Sequence, residues 1–187
     1  MQSPQPMTVA EAQREVRFVF LGGVVGQLVS GAIWLCSAAL GTWVGVRPAI
    51  LTVVIGGMSI FPLTQLLLRM LRRPWTLSSG NPLRLLAIQI AFTVPLTLPV
   101  VAGAALHNIN WFYPGCAVIV GAHYLPFTFL YGMWQYALVS AVLITGGLGL
   151  AMRMPESFTP AGWFTGTVLV LFAGWLSLSG FTRRDAA

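Results

Sequence analysis

Six long apolar runs divide the chain, and its charged residues fall at their ends or between them. The runs cover roughly 18–40, 48–69, 84–106, 112–131, 135–152 and 161–181. A bilayer hydrocarbon core about 30 Å thick needs about 20 helical residues, so each run predicts one crossing helix. The position of the arginines has a physical cause, because an arginine at mid-helix costs about 2.5–3.5 kcal/mol on insertion. The predicted fold class is therefore all-α, an integral membrane bundle of six transmembrane helices. Ahead of the first run, Thr8-Val-Ala-Glu11 fits a capping box, and a short amphipathic helix is predicted through Glu11, Arg14, Glu15 and Arg17. The run that begins at Phe18 is too long for a cleaved signal and reads as a retained helix. The chain thus divides into a cytoplasmic N-terminal segment (1–17), a transmembrane domain (18–181) and a cytoplasmic tail (182–187).

Charge sets the expected orientation. With six crossings, one side holds Arg14, Arg17, Arg69, Arg72, Arg73, Arg84, Arg183 and Arg184, and the other holds Arg47 and Arg153. Eight against two places both termini in the cytoplasm. Trp43, Trp111, Tyr113 and Trp163 fall at predicted outer ends, and Trp75, Tyr131 and Trp134 at inner ends. Amphipathic rings prefer the headgroup level, so these residues read as an interface belt. Gly22 with Gly26, and Gly162 with Gly166, have the four-residue spacing that lets helices approach closely. That pattern suits packing within the bundle or a homo-oligomer equally. The loop near 70–83 is the longest on the arginine-rich side, and Pro74, Gly80 and Pro82 break any helix there.

Composition narrows the class further. Of 187 residues, 57% are hydrophobic and 7% charged, against about 25% charged in soluble domains. A small soluble fold has too much surface to hide that apolar content. The net charge of +6 is carried entirely by arginine, and its placement at span ends points to lipid headgroups. The lipid bilayer is the expected partner and nucleic acid is not. Cys36 and Cys116 have neither metal-ligand nor redox spacing, and at helical spacing they face different directions, which argues against a disulfide. No zinc spacing, phosphate loop, Ser-His-Asp set or matched pair of haem-ligating histidines occurs, so no cofactor, metal or catalytic residue is assigned.

Candidate chemistry centres on Gly115 to Tyr131, an apolar stretch that carries His123 near its middle. An ionisable residue at that depth marks a functional site by default, although a neutral imidazole bonded to a neighbouring helix is the blander reading. Pro126 removes one helical hydrogen bond beside it and is expected to leave the Ala122 carbonyl free. Gln27, Ser30 and Thr93 lie at similar predicted depth. In the first span Gly23, Gln27, Ser30, Trp34 and Ser37 share one arc that should face the bundle. The predicted pocket is His123, Tyr124, Gln27, Ser30, Thr93 and Pro126; plain interhelical hydrogen bonding is the alternative account of the same residues.

Trp34, Pro62, Asn81-Pro82-Leu83, and Gly121-Ala122-His123-Tyr124-Leu125-Pro126 followed by Tyr131 resemble a bacterial multi-pass membrane family classed as a domain of unknown function. The resemblance covers roughly residues 10–150. It implies the same architecture in a bacterial inner membrane and no particular reaction. Two functions remain open: a protein that binds or passes a small neutral or apolar molecule in a central pocket near His123, and an accessory subunit that packs on a partner membrane protein, or on its own copy, through Gly-rich helix faces.

Overall fold

The structure, a computed structural model, describes residues 7–74 and 76–179. Its helices are α1 (Val9–Phe20), α2 (Val24–Trp43), α3 (Val46–Met70), α4 (Arg84–His107), α5 (Phe112–Tyr124), α6 (Phe127–Tyr131), α7 (Gln135–Arg153) and α8 (Pro160–Leu178). Short 3-10 turns at Leu21–Gly23 and Ile109–Trp111 precede α2 and α5. Among the described residues six segments are long and apolar enough to cross a membrane, and the protein is an all-α, multi-pass membrane bundle. Trp75, Arg183, Arg184 and the predicted tail lie outside the described residues.

The capping box at Thr8 forms as the sequence predicts. The Glu11 carboxylate accepts the Thr8 N–H at 2.8 Å, and the Thr8 hydroxyl oxygen accepts the Glu11 N–H at 3.4 Å. The helix it starts does not run on into the membrane. Leu21, Gly22 and Gly23 have φ of 50°, 60° and 85°, left-handed values that end α1 and turn the chain into α2. This corrects the pairing of Gly22 with Gly26 as one small-residue face. Gly22 belongs to the break, while Gly26 lies against Thr64 of α3.

Beyond the break, α2 packs on α8 and on α3, α5 packs on α7 and on α4, and α7 meets α8. Steric fit brings these pairs close. A β-carbon at Gly166 would lie 3.0 Å from the Leu35 backbone nitrogen, and one at Gly121 would lie 3.0 Å from the Ser140 carbonyl. With lipid outside as apolar as the helices themselves, such packing is what holds them together. The consecutive helices α3 and α4 flank this core and make no extended contact with each other.

The amphipathic α1 lies across one end of the bundle, with Ala12, Val16 and Val19 buried. Gln13 Nε2 donates to the Phe129 carbonyl at 2.6 Å, and Arg17 donates to the Tyr131 carbonyl at 2.5 Å. The Glu15 carboxylate accepts from the Ser78 N–H (2.6 Å), the Ser78 hydroxyl (2.9 Å) and Asn81 Nδ2 (2.8 Å). Burial raises the Glu15 pKa, and these three bonds more than offset it, so the carboxyl sits below its ordinary value. Because α1 carries two acids and two arginines, this contact belongs outside the crossing segments.

Of the predicted interface belt, Trp43, Trp111 and Trp134 are exposed. Tyr113 and Tyr131 are not part of it. Both are buried, because their hydroxyls and rings find partners inside the bundle.

Candidate functional site

His123 sits on the last turn of α5, which stops because Pro126 has no N–H to continue the ladder. The Ala122 carbonyl is not left free as expected. The chain tightens, and the Leu125 N–H donates to it at 3.2 Å before α6 begins at Phe127. His123 Nδ1 lies 3.1 Å from Thr93 Oγ1 on α4. The Thr93 hydroxyl already donates its one proton to the Ile90 carbonyl. Thr93, the His123 ring and the Ile90 carbonyl thus form one hydrogen-bonded cluster. Phe127 and Tyr124 stand beside the imidazole, with ring centroids at 5.0 and 5.7 Å.

Tyr124 leads away from His123 into a packed aromatic core. It stacks on Tyr136 at 5.9 Å, and Tyr136 stacks on Tyr131 at 5.2 Å. The Tyr136 hydroxyl donates to the Gly22 carbonyl, one of the groups exposed by the break between α1 and α2. Gln27 and Ser30 are buried on α2 with Trp34 and Ser37, as their shared arc requires. Neither bonds to His123; Gln27 is 2% exposed and both its polar side-chain atoms lack a partner. The predicted set therefore splits into three: Thr93 with His123, Tyr124 among the tyrosines, and Gln27 with Ser30 on α2. Pro126 serves as the break between α5 and α6.

A groove of about 560 Å³ runs between α3 and α4. Ile50 and Val54 wall it on one side, Pro95, Leu98 and Pro99 on the other, and Phe112 of α5 contributes from behind. Its surface is almost wholly apolar. None of the six predicted residues lines it, although Thr93 stands two positions before Pro95. At the same end of the bundle as the groove, the Tyr113 hydroxyl lies 2.6 Å from Ser37 Oγ, which donates to the Ala49 carbonyl at 2.7 Å, so this polar pair is internally satisfied. Among the described residues no group of three His, Cys, Asp or Glu could hold a metal ion. The described carboxylates Glu11, Glu15 and Glu156 all lie at the ends of the bundle, so what surrounds His123 is hydrogen bonding and apolar contact.

Residues 9–179 match DUF7010, a family of unknown function. The chain belongs to that family. The match takes in α8, which the resemblance at Gly121–Pro126 did not reach. Comparison with curated proteins and with solved structures brings no match. In this DUF7010 protein the residues that sequence reasoning missed are Tyr136 and the lining of the groove. The doubled glycine at 22–23 signals a chain reversal and hence a need for a capping donor such as Tyr136. No single-span signal marks the groove, which depends on two helices standing apart.

Proposed function

We propose that this protein sits in a bacterial inner membrane with both termini in the cytoplasm. It takes a neutral, largely apolar molecule sideways from the bilayer and holds it between α3 and α4, near His123. The observation that carries this reading is the groove itself, walled by Ile50, Val54, Pro95 and Pro99 between two helices that do not close on each other. The site is lateral, since Tyr124 and its neighbours fill the region where a central pocket was expected. The eight-to-two distribution of arginines supports the orientation.

A photoreactive alkyl lipid, incorporated into nanodiscs with the full chain, tests the reading. Cross-links are expected to concentrate on α3 around 50–54 and on α4 around 95–102, and Ala102→Trp should reduce them. Labelling spread evenly over all lipid-facing helices would overturn it. A second reading, an accessory subunit or self-associating protein, rests on Gly57 and Gly103. Nothing lies within 4 Å of a β-carbon built at either position. Gly57→Ile should then abolish a co-purifying partner or dimer; unchanged association would sink that alternative.

A further inference from the structure

We infer that the groove between α3 and α4 is a one-leaflet site. Its occupant is a lipid acyl chain from the leaflet opposite α1, with its head at the turn between α4 and α5 and its tip at Val54 and Pro95. The chain is held in that leaflet and given no path to the other. The inference rests on the groove reading above and adds the source, length and direction of the guest.

Contacts with α1 fix which half of the bundle the groove occupies. Asn81, just before α4 begins, donates to the Ala12 carbonyl at 3.2 Å and to the Glu15 carboxylate at 2.8 Å. The Arg73 guanidinium, just after α3 ends, lies 4.9 Å from the centre of the Phe18 ring. The last turn of α3 and the first turn of α4 therefore stand beside α1. The groove lies away from it. From α3 it takes Ile50 and Val54, in the first half of a helix that runs Val46–Met70. From α4 it takes residues from Pro95 onward, and Pro95 stands at the middle of that 24-residue helix. Ile109 and Phe112, at the turn into α5, complete the lining. No lining residue comes from the half of α3 or α4 that is nearer α1.

Length and surface then choose the occupant. From Pro95 to Leu106 the α4 wall rises about 16 Å, against about 15 Å for half of a hydrocarbon core. One end is at headgroup depth, because Trp111 beside Phe112 is half exposed and indole rings prefer that level. The other end then reaches the middle of the bilayer. Every lining side chain is apolar, so the groove contacts a chain and no head. A molecule long enough to span both leaflets would leave half its length outside the lining. An acyl chain that hangs from the headgroups to the middle of the bilayer matches the lining from end to end.

The test uses the full chain with an N-terminal affinity tag in proteoliposomes, and tag capture separates vesicles with α1 outside from those with α1 inside. The probe is a phosphatidylcholine with a photoreactive group at the tip of one acyl chain, net neutral and slow to change leaflet, added to the outer surface only. A tip at the middle of the bilayer reaches Leu171, exposed at the middle of α8, from either leaflet. With α1 inside, labelling near Val54 and Pro95 should exceed that at Leu171 on the order of tenfold. With α1 outside, the excess should vanish. Ala102→Trp, at an exposed lining position, should remove the excess and leave Leu171 unchanged. An equal excess from both leaflets, or passage of the probe to the inner leaflet faster than in protein-free vesicles, overturns the one-leaflet site while the groove reading stands. Groove labelling by the alkyl lipid of the preceding test, with no excess from phosphatidylcholine in either leaflet, overturns the acyl-chain occupant. Groove labelling by neither probe overturns the groove reading itself.

Discussion

α8 and α3 are both apolar enough to cross a membrane, yet 44% of the most apolar stretch of α8 is buried against 6% of that of α3. Hydrophobicity does not separate them. Steric fit does. Gly162 of α8 takes the ring of Tyr113, where a β-carbon would lie 2.9 Å away, and Gly166 takes the backbone of Leu35. On α3, Gly56 takes the Ile33 side chain of α2, where a β-carbon would lie 2.6 Å away, but Gly57 beside it faces nothing within 4 Å. In lipid an apolar side chain gains little by leaving one hydrocarbon surface for another, so helices associate where small residues admit a neighbour. α3 and α4 are each held on one side, and that leaves the space between them.

The largest effect expected from this contrast is at Gly166. Gly166→Leu drives a side chain into the α2 backbone and should cost about 3 kcal/mol or prevent folding, read by thermal unfolding in detergent and by size-exclusion profile. Next comes Tyr136→Phe, which leaves the Gly22 carbonyl without its donor and should cost about 2 kcal/mol. Faster hydrogen exchange in α1 would show that the loss is at the break.

Glu15 is third. Because its folded pKa is lowered, its contribution is present above its ordinary value of 4.5 and is lost as pH falls through the lowered folded value. Glu15→Gln should cost about 1 kcal/mol at neutral pH and flatten the acid side of the stability profile. The smallest effect is at Gly57, where Gly57→Leu should stay within about 0.5 kcal/mol. Equal losses at Gly57 and Gly166 would break the contrast between the two helices.

The crossing helices were legible because insertion forbids charge within them, and Thr8 and Glu11 mark α1 by chemistry local to one turn. The burial of Gln27, Ser30, Trp34 and Ser37 was legible for a similar reason, since a polar arc on one helix has to face inward. Gly22 misled, because glycine at four-residue spacing fits a packing face and a chain reversal equally well. Tyr113 and Tyr131 misled because a ring near a span end suits either the headgroups or a partner inside. Thr93 and His123 were both singled out, yet their bond joins two helices and is not written in either one.

On the proposed reading the mouth between α3 and α4 opens among acyl chains, so a guest would reach it from the lipid and its exchange with the aqueous phase would run through the lipid. Its occupancy follows its mole fraction among lipids, a two-dimensional concentration, and molarity in the buffer is the wrong scale. Adding water to a preparation should leave a bound guest in place, whereas adding empty lipid or detergent should draw it out.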